Sequence, residues 1–186
     1  MNQRLILLKT GLIVNRIIIV ILLISSINLQ AQKFIGKNGK ISFFSEAPVE
    51  NITAVNNKVS AVYDLETQDL VFLLKITDFI FPKPLMQKHF NENYLESDLY
   101  PHAKFEGEVI ENKNGNGEVN GKLTIHNKTN QVNVYGNLLI DHNTVRISSA
   151  FTIRLEDYNI KIPKILFYNI AEEIKVKVNI ELNSLK

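Results

Sequence analysis

Residues 118–153 read EVNGKLTIHNKTNQVNVYGNLLIDHNTVRISSAFTI, and apolar and polar side chains alternate along most of this stretch. The alternation stops only at two short polar segments, residues 127–130 (NKTN) and 141–143 (DHN). A period of two is typical of a β-strand with one buried face, and short polar links are typical of antiparallel hairpins. The stretch therefore predicts three consecutive antiparallel strands.

The same alternation extends from residue 40 to residue 182, and no helix-length segment separates successive strands as a parallel βαβ sheet requires. Eight antiparallel strands in one sheet usually close on themselves, because closure removes the exposed edges. The sequence thus predicts an all-β fold, an eight-stranded antiparallel barrel. The predicted strands are 41–43, 59–63, 70–76, 103–109, 119–125, 132–140, 145–153 and 174–182.

Two inserts interrupt the strands. Residues 84–99 (PLMQKHFNENYLESDL) begin with a proline suited to a first helical turn, and their apolar residues recur at spacings near three and four, which predicts one short amphipathic helix. Residues 155–171 are apolar but aperiodic and contain Pro163, which predicts a packed loop with a helical turn. Both inserts are expected to cover an open end of the sheet.

The N-terminal segment, residues 1–31, carries Arg4, Lys9 and Arg16 and no acidic residue, and residues 17–24 are an unbroken apolar run. This pattern predicts a secretory signal cleaved after Ala31, with export to the periplasm or the medium and a mature domain of residues 32–186. The run is shorter than the roughly 20 residues that span a bilayer, which argues against the alternative of an uncleaved anchor.

Removal of residues 1–31 lowers the formal charge of the chain from +2 to −1. A near-neutral domain lacks the basic surface that nucleic-acid binding needs, so no nucleic-acid partner is expected. The mature part contains no apolar run that predicts a transmembrane helix.

Several kinds of reactive site are absent from the sequence. The chain has no cysteine, which excludes disulfides, thiolate metal sites and a cysteine nucleophile, and it has no G-x-S-x-G motif for a serine nucleophile. His89, Glu92 and His102 can be drawn as a metal-ligand set, which keeps a metal hydrolase as the weaker alternative. His126 and His142 fall on or beside turns, where solvated histidines are expected.

The predicted inward face of the strands is almost wholly apolar. An eight-stranded barrel is just wide enough to be filled by side chains or to hold one small ligand, so a filled core and an apolar binding lumen both stay open. The outward positions carry charges such as Lys122, Arg146 and Lys177, which argues against a membrane barrel. The candidate lumen residues are Phe43, Phe72, Phe105, Leu123, Val134, Phe151 and Val176, with Met86 and Phe90 of the helical insert as an adaptable wall.

Three separated segments resemble the YceI-like family. They are residues 79–107, which include LMQKHFNENYLES, then GKLTIHNKT at 121–129, and FTIRLEDYNIKIP at 151–163. The resemblance implies a lipocalin-like barrel with a helix packed over it and an elongated apolar pore for an isoprenoid tail, such as that of a quinone. One departure is Asn127, where the family commonly has glycine; asparagine tolerates the left-handed conformation, so the turn is expected to persist.

The resemblance also implies a homodimer and no shared enzymatic activity. We therefore expect a binding protein that uses no cofactor and holds a polyisoprenoid or other long-chain amphiphile. The alternative is a filled barrel that acts through its surface as a structural or protein-interaction module of the cell envelope.

Overall fold

Eight long strands make up most of the computed structural model, which describes residues 32–46, 51–162 and 171–185. Each strand pairs antiparallel with its chain neighbours and the first pairs with the last, so the sheet closes into a barrel. This architecture confirms the predicted fold class. The strands are β1 (Lys33–Ser45), β2 (Ile52–Asp64), β3 (Asp69–Lys75), β4 (His102–Lys113), β5 (Asn116–Ile125), β6 (Lys128–Ile140), β7 (Thr144–Arg154) and β8 (Glu173–Ser184).

Strand β8 shows why the alternation produces this fold. Its β-branched and leucine side chains at 174, 176, 178, 180 and 182 are buried, whereas the intervening residues, including Lys175 and Lys177, are exposed. Successive side chains of a strand point to opposite faces, so the pattern places one face in the barrel and the other in solvent. Pairing on both sides, with β1 and with β7, then closes the barrel at this strand.

Two hairpins use two-residue turns with left-handed backbone. Asn114 and Gly115 join β4 to β5 with φ of 53° and 82°, and His126 and Asn127 join β5 to β6 with φ of 48° and 56°. Turns with positive φ at both central residues match the twist of antiparallel strands. Asn127 thus adopts the conformation expected in place of glycine.

The helical insert is shorter than predicted. Helix α1 (Pro84–His89) begins with the expected proline and continues as one wide π turn over Phe90–Tyr94, instead of reaching residue 99. The N–H of Leu95 bonds to the carbonyl of Phe90 at 2.9 Å, and Glu96 then has a φ of +43°, which turns the chain out of the helix. We call residues 84–94 the helical cover.

Two short 3₁₀ turns follow strands, at Ile76–Asp78 after β3 and at Leu155–Tyr158 after β7. The second confirms the helical turn predicted within residues 155–171, while residues 163–170 of that insert lie outside the described part of the chain. The predicted signal segment, residues 1–31, also lies outside it. Within the described ranges, no helix has the length and apolar character needed to cross a membrane.

One end of the barrel is filled by side chains. Phe34, Tyr63, Val145 and Leu182 are completely buried there, and the rings of Phe34 and Tyr63 stack with centroids 6.5 Å apart. The hydroxyl of Tyr63 donates to Oε1 of Gln68 at 2.7 Å, which satisfies the polar group of this buried ring. The filled-core alternative is therefore correct for this end of the barrel.

The wall has a gap between β6 and β7. The two strands pair only from Gly136↔Ser149 to Ile140↔Val145, although both strands extend further. Beyond the last rung, β6 is paired with β5 and β7 is paired with β8. Residues 131–135 of β6 and 150–154 of β7, which continued pairing would place opposite each other, border what we call the β6–β7 gap.

Candidate functional site

The rest of the barrel contains two adjacent cavities. The helix-side cavity has a volume of about 170 Å³ and lies beneath the helical cover, and the gap-side cavity has a volume of about 110 Å³ and lies behind the β6–β7 gap. Five residues line both cavities, so the two volumes lie side by side in the barrel interior. The shared residues are Ile41, Leu74, Ala103, Leu123 and Phe151.

Four phenylalanines close the helix-side cavity. The ring of Phe90, on the helical cover, lies 4.9 Å from Phe81, 5.6 Å from Phe43 and 5.7 Å from Phe79, measured between centroids. Pro84 favours the start of α1 because its fixed φ suits the first helical turn. The π turn that follows α1 carries Phe90, whose ring packs against the other three phenylalanines. Aromatic pairs at these distances attract each other beyond their area burial, so the cluster holds the cover on the barrel.

All nine residues predicted to line the lumen border one of the two cavities. The helix-side cavity contacts Phe43, Met86, Phe90, Leu123, Phe151 and Val176, and the gap-side cavity contacts Phe72, Phe105, Leu123, Val134 and Phe151. The alternation located the seven strand residues because it identifies the inward face of each strand, whereas Met86 and Phe90 came from the helical insert. Their contact with a ligand stays a prediction.

Sequence reasoning missed residues that reach the cavity from outside the alternating strands. Leu95 follows the helical cover, and Leu155 and Ile160 lie in and after the second 3₁₀ turn, yet all three line the helix-side cavity. The apolar, aperiodic composition of residues 155–160 was the available signal, because a solvated loop is polar.

A glycine pair makes room for the side chain of Phe105. Gly107 and Gly121 face each other between β4 and β5, and a Cβ added to either would lie 2.7 Å from Cζ of Phe105. That distance is closer than carbon atoms approach without a clash. The two glycines therefore let the Phe105 ring lie flat against the wall of the gap-side cavity.

The helix-side cavity is electrically neutral over its described lining, which contains no Asp, Glu, Lys, Arg or His side chain. Its polar groups are the hydroxyls of Ser45 and Tyr94. Ser45 accepts a hydrogen bond from the N–H of Ala171 at 2.9 Å, and burial raises the pKa of Tyr94 above its ordinary value. Such a cavity favours an apolar guest, since a charged one would lose its hydration without compensation.

The alternative metal set is not assembled. Nδ1 of His89 lies 3.2 Å from Oδ1 of Asn93, and Glu92 lies 3.9 Å from the amine of Lys88 on the exposed side of the helical cover. Across residues 32–46, 51–162 and 171–185, no three His, Asp or Glu side chains come together in a metal-binding group.

His126 corrects one expectation. Its side chain is only 11% exposed, and its Nε2 lies 2.8 Å from Oε2 of Glu96, so it is not a solvated turn residue. Its Nδ1 lies 3.2 Å from the carbonyl oxygen of Tyr158, and its ring meets that of Tyr100 edge-on at 4.7 Å. His142 is exposed, as expected.

Comparison with known proteins places the chain in one family. A sequence model of the YceI-like domain matches residues 26–182. Comparison with curated proteins gives no significant match.

Solved structures show the same fold at low identity. A polyisoprenoid-binding domain from Saccharophagus degradans, implicated in plant cell wall breakdown, is 9% identical with a TM-score of 0.71, over 84% of this chain and all of the other. BcnA of Burkholderia cenocepacia is 18% identical with a TM-score of 0.68, over 77% and 95%. The YceI protein of Campylobacter jejuni is 16% identical with a TM-score of 0.64, over 76% and 90%.

Proposed function

The chain belongs to the YceI-like domain family, and from this and its apolar interior we propose that it binds a polyisoprenoid or other long-chain amphiphilic lipid in the barrel lumen. The observation that carries the proposal is the pair of adjacent apolar cavities in the barrel interior. The polyisoprenoid-binding domain of Saccharophagus degradans, which shares the fold, supports the same class of ligand.

The cavity volumes set the scale of the ligand. An apolar cavity of about 150 Å³ stays dry and accepts a molecule of six carbons, such as benzene. By that measure, interior volumes of about 170 and 110 Å³ together correspond to on the order of ten carbons. A longer tail requires a side chain of the wall to move, and flexible Met86 on the helical cover is suited to that role.

The free energy available is adequate for binding without a charged anchor. Burial contributes about 0.8 kcal/mol per CH₂, so a ten-carbon tail gains about 8 kcal/mol. The cost of association reduces this figure. We therefore propose a carrier or store for the lipid that binds by tail burial and performs no reaction on it.

Export of the protein is part of the same proposal. Residues 1–31 have the pattern of a secretory signal, which would place the lipid-binding domain in the periplasm or the medium. The intact mass of the protein isolated from cell fractions tests this, because cleavage after Ala31 leaves Gln32 as the first residue. The homodimer also stays a prediction, which sedimentation equilibrium would test.

Native mass spectrometry of residues 32–186, purified without detergent and followed by organic extraction, tests the binding. We expect a co-purified or added isoprenoid lipid at about one per chain. A protein that stays free of lipid after incubation with decylubiquinone and farnesol would overturn the proposal and favour a barrel that acts through its surface.

A pair of substitutions assigns the binding to the lumen. Phe151→Asp places a charge where both cavities meet and should abolish lipid uptake, whereas Leu139→Asp changes an exposed side chain of the adjacent strand and should leave it intact. Circular dichroism establishes that each variant is folded. Equal uptake by the two folded variants would contradict the lumen assignment.

A further inference from the structure

The structure points to a second subsite in the β6–β7 gap, and we propose that the gap holds the polar end of the bound amphiphile and that this end is uncharged. The inference rests on the proposed function, and it adds the position and the chemistry of the headgroup.

The gap is bounded at both ends by specific contacts. At one end is the last rung of the ladder, Gly136↔Ser149, and at the other the side chain of Asn130 donates to the carbonyl of Asp157 at 2.6 Å. Between them lie residues 131–135, which at 3.3 Å per residue span about 16 Å. The opening is therefore long enough for a ring-sized headgroup.

The gap opens into the gap-side cavity. Val132 and Val134 of β6 and Phe151 of β7 border the gap and also line that cavity. Phe151 also lines the helix-side cavity. Movement of this side chain would let a tail that enters at the gap extend from the gap-side cavity toward the four phenylalanines beneath the helical cover.

Hydrogen-bonding groups border the gap where the ladder ends. Asn137, Ser148 and Ser149 contact the gap-side cavity, and the hydroxyl of Ser149 donates to the carbonyl of Tyr135 at 2.6 Å. A hydroxyl has one donor and two acceptor positions, so Ser149 retains acceptor capacity. The main-chain groups of residues 131–135 that face β7 have no ladder partner there, as at the edge of a sheet.

Gly136 explains why the strands meet at this rung. A Cβ added to Gly136 would lie 2.9 Å from Cβ of Ser149, too close for two carbon atoms. The glycine therefore lets β6 approach β7 closely before the two strands separate, and it brings the polar groups to one edge of the opening.

Charge at the gap argues for an uncharged headgroup. Among the described residues that line the gap-side cavity, Lys104 is the one charged side chain, and its amine is paired with Glu106 at 2.6 Å. Next to the gap, Glu118 accepts hydrogen bonds from Tyr135 at 3.1 Å and Asn133 at 2.7 Å. Arg154, the cation among the residues that border the gap, is paired with Glu156. An anionic headgroup would have to compete with that carboxylate for Arg154, whereas a carbonyl or hydroxyl headgroup needs only hydrogen bonds.

Single-tryptophan variants locate the headgroup, because the natural chain contains no tryptophan. Ala150→Trp places the reporter on an exposed position beside the gap, and Leu85→Trp places it on the exposed face of the helical cover. The probe is decylubiquinone, whose quinone ring quenches tryptophan at short range and whose tail has ten carbons.

At saturation we expect at least threefold stronger quenching in Ala150→Trp than in Leu85→Trp. Equal or stronger quenching in Leu85→Trp would place the headgroup at the helical cover and overturn the inference. Tyr135→Trp, on the opposite border of the gap, repeats the measurement if Ala150→Trp does not fold. Native mass spectrometry separates the two failures: uptake without quenching at the gap overturns this inference alone, and no uptake overturns the proposed function together with it.

Two lipids that share the farnesyl tail but differ in the charge of the headgroup test whether the gap prefers an uncharged headgroup. We expect farnesol to bind at least tenfold more tightly than farnesyl diphosphate, and Glu118→Gln, which removes the carboxylate charge, to narrow that ratio. Tighter binding of the diphosphate by the natural chain would overturn the uncharged assignment.

Discussion

Nε2 of His126 lies 2.8 Å from Oε2 of Glu96, and this bond joins the β5–β6 turn to the segment that follows the helical cover. The other ring nitrogen of His126 faces the carbonyl of Tyr158 at 3.2 Å, in the second 3₁₀ turn. One imidazole thus connects three separate loops at the end of the barrel where the helix-side cavity lies. Glu96 and His126 both have positive φ, so the contact also holds two turns in uncommon backbone conformations.

We expect His126→Ala to lower the free energy of unfolding by about 2 kcal/mol, because it removes the hydrogen bond to the Glu96 carboxylate and the edge-on ring contact with Tyr100. Glu96→Gln keeps a hydrogen-bonding oxygen and should cost about 1 kcal/mol. His142→Ala, at an exposed turn, is the control and should stay within about 0.5 kcal/mol of the natural chain. Urea unfolding measures all three, and a loss in His126→Ala no larger than in His142→Ala would contradict the linking role.

Tyr63 predicts how stability depends on alkaline pH. Burial raises the pKa of this hydroxyl above its ordinary value of 10.0. Above pH 10 the unfolded chain therefore releases the Tyr63 proton while the folded chain keeps it. The contribution of Tyr63 to the free energy of unfolding is fully present below pH 10 and is lost as pH rises through the pKa of the folded state.

Tyr63→Phe tests this sign. At pH 8 the variant should be less stable by about 1 kcal/mol, since it loses the bond to Gln68. Because phenylalanine does not ionise, that deficit should shrink between pH 10 and pH 11.5 in urea titrations. A deficit that stays constant or grows over that range would show that the hydroxyl does not ionise preferentially in the unfolded chain.

Met86→Ala should shift ligand preference to longer chains. Removing this flexible side chain enlarges the helix-side cavity at the helical cover. We expect the affinity for farnesol relative to geraniol to rise by about tenfold, which corresponds to about 1.4 kcal/mol. Leu85→Ala is the matched control, because Leu85 is the preceding residue and is 66% exposed. Isothermal titration calorimetry measures the ratio, and the same shift in both variants would contradict the role of Met86.

Gly121→Ala should destabilise the barrel and displace Phe105. The added Cβ would lie 2.6 Å from Cα of Gly107 and 2.7 Å from Cζ of Phe105, and the main-chain atom cannot yield. We expect a loss of about 2 kcal/mol in thermal or urea unfolding. In Gly117→Ala, on the same strand, the nearest contact would be 3.2 Å from Cβ of Leu138, so a smaller loss is expected. Equal losses would argue against the close approach at Gly121.

Local patterns determined much of this protein without the structure. The period of two identified all eight strands and the inward side chains, including Phe105 and Phe151, because burial of one face imposes alternation on any strand. The turn at Asn127 and the start of the helix at Pro84 followed from backbone preferences of single residues. These features depend on residues close together in the chain, so they can be predicted from the sequence alone.

Other features were decided only by tertiary structure. The filled end around Tyr63 and the helix-side cavity at the opposite end both lie behind the same apolar alternation. The β6–β7 gap depends on where the β6 ladder to β7 stops, at Gly136, and the contact of His126 with Glu96 joins residues 30 positions apart. The physical reason is that strand register and the volume left inside a closed barrel depend on all eight strands at once. The alternation along one strand determines neither of these two properties.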